Sequence, residues 1–233
     1  MHNFAGEELY WGSIQKAGAA LIFSGDDINH ITRVMRHKPG DRIFVTNGDG
    51  AIIETEITAT GPASLEGRLV SQTVLPNRLE RVTIAVPRLK NLDKIELAIE
   101  KLVETGFTRF IFFNSDNAIG KGFKLDRWKK IAVSAAKQSF TPFTPHLTGC
   151  DKFAQLFTTG KEVLGFDLES EDDFANFTPL QEKEYILVTG PEGGLSTREL
   201  AMFSPGNLYR LTKNRLRSET ACLYSAFRIG WFY

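Results

Sequence analysis

The segment Gly190-Pro191-Glu192-Gly193-Gly194-Leu195-Ser196-Thr197-Arg198-Glu199 follows directly on an apolar run that ends at Val188-Thr189. A strand that passes through a glycine-rich turn into a helix lies where an α/β sheet receives its ligand, outside the carboxyl ends of the strands. The glycines allow close backbone approach and positive φ, and Ser196 with Glu199 has the S-x-x-E spacing of a capping box. A tight strand-to-helix turn fits the same spacing. Phosphate binding at the helix N-terminus is a further option, but the chain has no G-x-x-x-x-G-K-[ST] and no G-x-G-x-x-G after a strand, so neither a P-loop nor a dinucleotide site is expected. A second loop, Leu211-Thr212-Lys213-Asn214-Arg215-Leu216-Arg217-Ser218-Glu219-Thr220-Ala221, again leads from an apolar run into a helix. Two such loops at neighbouring strand ends are expected to wall one pocket. Their able groups are Arg217, a permanent cation with forked donors, and Glu219, a carboxylate that also favours a helix N-terminus. A capping and ion-pair role fits both equally. Cys150 and Cys222 lie far apart with no C-x-x-C or C-x-x-H spacing, so two buried, reduced thiols and no metal site are expected.

The elements that must hold these loops are legible from about residue 82. Compact apolar runs at 82–86, 110–113, 163–166, 185–188 and 207–211 alternate with amphipathic stretches, the pattern of parallel strands covered on both faces by crossover helices. Ile95, Ala98, Ile99, Leu102 and Val103 line one helical face, which Gly106 terminates. Leu125, Trp128, Ile131, Ala132, Ala135 and Ser139 form the stripe of a second helix, and Leu223, Ala226, Phe227, Gly230 and Trp231 that of a last one, expected to dock on the chain's own core or on a partner subunit. The first 75 residues read as short β segments at 43–45, 52–57 and 65–70, a small β-barrel with a hairpin tip at Asn47-Gly48-Asp49-Gly50. A helix capped by Asp26 or Asp27 and carrying Ile28, Ile31 and Met35 is expected before them. The acidic run Glu169-Ser170-Glu171-Asp172-Asp173 reads as a surface loop.

The whole chain is therefore an α/β protein with a smaller β domain at 1–75 and an α/β domain at 76–233. Its 233 residues carry 28 basic and 28 acidic side chains and are 42% hydrophobic, which fits one or two globular domains. No apolar stretch of roughly 18 residues is present to span a bilayer, and the first eight residues have neither a basic nor an apolar leader region, so a cytoplasmic protein is expected. The zero net charge excludes indiscriminate coating of nucleic acid, yet the charge is unevenly placed. Residues 77–147 hold thirteen basic against seven acidic residues, while each flank has three more acids than bases. Lys121, Lys124, Arg127, Lys129, Lys130 and Lys137 face a single acid within their helix, Asp126, giving either a cationic face for a polyanion or a solvated surface helix.

Several motifs together resemble the RsmE family of SPOUT methyltransferases over nearly the whole chain. They are His30-x-x-Arg33-Val34-Met35-Arg36 followed by Gly40-Asp41 and Asp49-Gly50; Lys90 with Glu100-Lys101-x-x-Glu104-x-Gly106; Arg127-Trp128 with Ala135-Ala136-Lys137-Gln138-Ser139; Gly190 to Ser196; and Leu216 to Ala221. The last two are the specific ones. Two departures are visible: Asp116-Asn117-Ala118 stands where the family usually shows Glu-Arg-Ser, and Thr141 where an arginine is common. Each removes a cation suited to phosphate.

The resemblance implies an N-terminal PUA-like or OB-like barrel, a C-terminal SPOUT domain with a trefoil knot, and a homodimer. It also implies S-adenosylmethionine as cofactor and N3 of a uridine in small-subunit ribosomal RNA as methyl acceptor. The cofactor is then expected against Thr189, Gly190, Pro191, Glu192, Gly193, Gly194, Leu211, Asn214 and Leu216, chiefly through backbone groups. Arg217 is expected to stabilise the reacting base, with Glu219 or Glu192 as its partner or as the base catalyst. RNA is expected on Arg33, Arg36, Lys38, Arg88, Lys90, Lys121, Lys124 and Arg127, in a salt-sensitive manner. Three alternatives stand beside this reading: a SPOUT enzyme for another RNA, a non-catalytic RNA-binding assembly factor, and a nucleotide hydrolase, the last disfavoured by the missing P-loop lysine.

Overall fold

The computed structural model describes residues 7–18, 20–119 and 122–233. Contacts divide the chain into two units, one holding the described residues up to Asn77 with Val133–Thr144, the other Arg78–Ala132 and Pro145–Tyr233. By contacts, Val133–Thr144 returns to the first unit. Backbone bonds account for it: Gly50 N–H donates to Pro142 O at 2.8 Å and Thr144 N–H to Gly48 O at 2.9 Å.

The first unit is one six-stranded sheet made of β1 (Leu9–Trp11), β2 (Ser13–Ala17), β3 (Ala20–Ser24), β4 (Arg42–Thr46), β5 (Ala51–Thr60) and β6 (Ser64–Val74), in the order β1-β4-β5-β6-β3-β2. In strand pairing the expected barrel is thus an open sheet with β1 and β2 at its edges. Only β1–β4 is parallel among these pairs. Inward residues such as Leu21, Phe23, Ile43, Val45, Ile53 and Ile57 share one core with Ile28 and Ile31. Strands β1 to β3 escape a sequence reading because Gly12 and Gly18 break their alternation into short pieces. The hairpin tip between β4 and β5 needs its glycine: Gly48 has φ +82°, and a Cβ there would stand 2.1 Å from Thr144 Oγ1.

The helix expected around Ile28 and Met35 is instead a short wide turn, His30–Val34, where Met35 N–H reaches His30 O, and Arg36 then takes φ 59°. Met35 consequently points outward, 44% exposed. Asp27 is not a cap. Its buried carboxylate accepts Trp11 N–H at 2.6 Å and pairs with Lys137 Nζ at 2.7 Å. A buried carboxylate needs charge and donors together, and here both come from distant segments.

The second unit carries a parallel sheet. Its elements are β7 (Val82–Pro87), α1 (Leu92–Glu104), β8 (Arg109–Phe113), the start of α2 (Leu125–Gln138), whose residues from Val133 on belong to the first unit, β9 (His146–Cys150), β10 (Glu162–Phe166), β11 (Tyr185–Thr189), α3 (Thr197–Leu200), β12 (Leu208–Tyr209) and α4 (Ser218–Gly230). The order is β12-β10-β11-β7-β8-β9, every pair parallel. All of β7 and β11 is buried, as continuous apolar runs predict. Helix α1 starts where Asn91 accepts Asp93 N–H and stops at Gly106, φ 96°. The last helix departs from its expected stripe: α4 buries Cys222, Ser225, Ala226 and Ile229, while Phe227 is 44% and Trp231 87% exposed. Its phase is set at its first turn, where Ser218 Oγ donates to Gly190 O at 2.6 Å.

Candidate active site

The two loops meet. Thr189, Gly190, Pro191, Glu192, Gly193, Gly194, Leu211, Asn214 and Leu216 all line one cavity of about 550 Å³ at the carboxyl ends of β10, β11 and β12. Close chain approach is built into it. A Cβ on Gly190 would stand 2.9 Å from Leu195 N and 3.0 Å from Gly194 Cα, and Gly194 holds φ +72°, so these positions admit only glycine without rearrangement. Thr189 also lines the cavity, and its buried side chain hydrogen-bonds the Cys222 thiol. That thiol is pushed up to about 12 by its burial, so Cys222 stays protonated and inert, as expected for a structural cysteine.

The glycine loop is tied down from outside. Asn117 Nδ2 donates to Gly194 O at 3.1 Å and to Gly193 O at 3.3 Å. Ser196 Oγ donates to Asp116 Oδ2 at 2.6 Å, and Arg198 Nε reaches the same oxygen at 3.2 Å. Those two donors hold the Asp116 carboxyl below its ordinary range. Beneath them Glu199, fully buried, accepts Ser115 Oγ and Asp116 N–H at 2.9 Å each and Ser196 N–H at 2.8 Å. The capping box read from Ser196 and Glu199 is present, and Glu199 serves a second purpose by joining the β8 end to the loop. The residues that depart from the family triplet are thus the strap of the glycine loop.

Arg217, the N-cap residue of α4, lines the cavity, is exposed, and makes no side-chain bond or ion pair among the described residues. Its expected partner is placed otherwise. Glu219 is 9% exposed, lies outside the cavity lining, and sets Oε1 3.2 Å from Lys94 Nζ of α1, while Oε2 has no hydrogen-bond partner among the described residues. The helical turn that points Arg217 at the cavity carries Glu219, two residues on, to the α1 side of α4. Glu192 lines the cavity and is exposed.

The sequence reading omits one wall. Phe166, Asp167, Leu168 and Glu169 extend β10 into the cavity, so the acidic run is not simply a surface loop. Its later part is anchored too, with Asp173 Oδ1 accepting Arg210 Nε at 3.0 Å. The rule that placed the other loops, ligands at strand carboxyl ends, applies equally to this one.

Of the cations assigned to RNA, Arg33, Arg36 and Lys38 are exposed in the first unit, and Lys90, Lys124 and Arg127 in the second. Lys121 lies outside the described residues. Arg88 is partly buried and bonded to the Gly122 and Leu89 carbonyls. Arg127 is paired with Glu96 at 2.7 Å, and Lys137 with Asp27. The helix is therefore less cationic than its own sequence indicates, because acids from other segments meet two of its charges.

Comparison with known proteins gives this geometry a family. A sequence model of the RNA methyltransferase domain matches residues 76–229, and one of the RNA methyltransferase PUA domain matches residues 23–70. The chain belongs to the RNA methyltransferase family. Among its relatives in that family, Ribosomal RNA small subunit methyltransferase E of Bacillus subtilis is 27% identical over 242 residues, 96% of this chain and 94% of the relative. The protein of the same name from Mycobacterium bovis is 26% identical, covering 95% of this chain and 90% of its own. The crystal structure of a probable rRNA-methyltransferase from Porphyromonas gingivalis has the same fold, with a TM-score of 0.82 at 24% identity over 97% of this chain and 98% of its own. That of Ribosomal RNA small subunit methyltransferase E from Neisseria gonorrhoeae, bound to S-adenosyl methionine, has a TM-score of 0.79 at 20% identity over 95% of each chain. The matched RNA methyltransferase domain contains every residue lining the cavity. No group of His, Cys, Asp or Glu suited to a metal ion occurs among the described residues, and none of their helices is long and apolar enough to cross a membrane.

Proposed function

We propose that this protein transfers a methyl group from S-adenosylmethionine to N3 of a uridine in small-subunit ribosomal RNA. The observation that carries the reading is the single cavity where both glycine-and-arginine loops of an RNA methyltransferase domain converge. Its volume falls within the roughly 300–1,000 Å³ of small-molecule sites. The residues present fit the cofactor: main-chain groups brought close by Gly190 and Gly194 suit an adenine, and Asp167, Glu169 and Glu192 supply carboxylates for a cationic ligand. When bound, S-adenosylmethionine supplies an electrophilic methyl carbon on a sulfonium.

The chain's own part is to orient and to stabilise. Loop carbonyls held by Asn117 fix one wall, which turns approach of the reactants into an aligned encounter. Arg217, unpaired among the described residues and lining the cavity, is placed to stabilise negative charge on the carbonyl oxygens of the base as N3 gives up its proton. Main-chain placement on rigid strand ends keeps this arrangement set before the substrate arrives.

The domain limits 1–75 and 76–233, the trefoil knot and the homodimer belong to the same proposal. The knot is supported by the course of the chain, since β12 pairs with β10 at the sheet edge while α4, next in sequence, packs on α1, β11 and β7. The homodimer is supported by the exposed Tyr224, Phe227 and Trp231 on α4. Residues Arg33, Arg36, Lys38, Lys90 and Lys124 are the proposed phosphate contacts.

Calorimetric titration with S-adenosylmethionine, and in parallel with ATP, tests the cofactor. Binding of the former at one site per subunit is expected, followed by a new N3-methyluridine in small-subunit RNA treated with the protein. A methyl group found in transfer or large-subunit RNA moves the substrate, and ATP binding in place of S-adenosylmethionine overturns the reading.

A further inference from the structure

Lys94 lies in the first turn of α1, where the positive end of the helix disfavours a cation. It is nevertheless a lining residue of the cavity. Its Nζ stands 3.2 Å from Glu219 Oε1, with the lysine side chain 26% and the glutamate 11% exposed. Glu219 sits in the first turn of α4, where the same helix field favours its charge. The pair therefore joins two helix N-termini across one ion pair, and the anchor is the better placed member. An ammonium carries three donors. Glu219 holds it as an ion pair, no other ion pair or hydrogen bond of the Lys94 side chain occurs among the described residues, and donors remain for the cavity.

Resting on the methyltransferase reading above, we propose that Lys94 is a catalytic residue that binds the anionic oxygen of the uracil as it reacts, and that Glu219 is the residue that positions it rather than a base. In the reaction N3–H loses its proton to solvent, the N3 lone pair forms the new N–CH3 bond, and the S–CH3 bond breaks with its electrons going to sulfur. Negative charge spreads onto the neighbouring carbonyl oxygens in between, and no proton passes through Lys94. A compact cation fixed in advance by a buried partner suits a charge that exists only during reaction. Arg217 shares that developing charge from the α4 loop, whereas the exposed Arg215, with its planar fork, suits a group that is anionic from the outset. The other charged groups facing the cavity are Asp167, Glu169 and Glu192, and Asp93 shares the first turn of α1.

The test is single-turnover methylation of unmodified small ribosomal subunits over a range of pH, with S-adenosylmethionine affinity measured by calorimetry on the same proteins. Lys94→Met is expected to slow methyl transfer about 100-fold, to move the rising limb of the pH profile upward by about one pH unit, and to change cofactor affinity less than threefold. Lys94→Arg, which keeps a cation, restores the position of that limb. Glu219→Gln slows transfer about tenfold, and the double variant is no slower than Lys94→Met, because one residue acts through the other. An unmoved limb in Lys94→Met overturns the role of Lys94, and so does a tenfold loss of cofactor affinity with the limb unmoved, which assigns the lysine to the cofactor's carboxylate. Multiplying effects in the double variant overturn the positioning role of Glu219. Failure of the unaltered protein to bind S-adenosylmethionine is a separate result that removes the reading on which the proposal rests.

Discussion

Arg217 and Glu219 stand two residues apart and have different surroundings. The arginine reaches the cavity with no partner among the described residues, and the glutamate is buried against Lys94. Arg217→Ala is therefore expected to lower the single-turnover methylation rate about 100- to 1,000-fold while changing S-adenosylmethionine affinity less than threefold. Equal rates in the two proteins remove it from the reaction. Both residues were legible as chemically able from type and position, but their pairing was not, since the partner of Glu219 comes from a helix more than a hundred residues earlier. Thr189 shows the same limit: its place at the strand end was legible, and its buried contact with Cys222 was not.

At the scale of elements the glycine loop depends on the segment 115–117 that straps it. Asn117→Ala removes two bonds to the Gly193 and Gly194 carbonyls. It is expected to weaken S-adenosylmethionine binding about tenfold, about 1.4 kcal/mol, and to speed amide exchange in the loop with little change in thermal unfolding. Asp116 adds a pH dependence. Its carboxyl is held down by the Arg198 and Ser196 donors, so the folded state keeps it charged to a lower pH than the unfolded chain does. Its stabilisation is complete above the ordinary carboxylate range and is lost as pH falls through the lowered value. Asp116→Asn is thus expected to reduce stability to denaturant at neutral pH, with the gap to the unaltered protein closing as the solution is acidified. A gap independent of pH contradicts the assignment. The strap was invisible in sequence, where the same residues show only the loss of a family cation.

For the whole molecule, RNA affinity follows from which cations remain unpaired. Lys90 is exposed and makes no ion pair among the described residues, whereas Arg127 is held by Glu96. Lys90→Ala is expected to weaken RNA binding and to lower the slope of log affinity against log salt by about one, and Arg127→Ala to do less of both. Identical slopes in all three proteins remove Lys90 from the phosphate contacts. The exposed apolar side of α4 bears on assembly. Trp231→Glu is expected to convert a dimer into a monomer in light scattering, and a mass unchanged from that of a single chain in the unaltered protein contradicts the proposed homodimer.

What the sequence by itself determined were the features that depend on neighbours along the chain. Apolar runs marked β7, β8, β10 and β11, the i, i+3, i+4 stripe marked α1, Gly106 marked its end, and the two loops after strands marked the cavity. These are consequences of backbone sterics, local capping and periodic burial, all short-range. The tertiary structure alone decided that Asp27 meets Lys137, that α4 buries Ser225 and Ile229 in place of Phe227 and Trp231, that Asn117 holds the glycine loop, and that Lys94 and Glu219 join. Each of these is a pairing of polar or buried groups from segments far apart in sequence. Their energy comes from removing both partners from water together, so no single stretch of chain carries its signal.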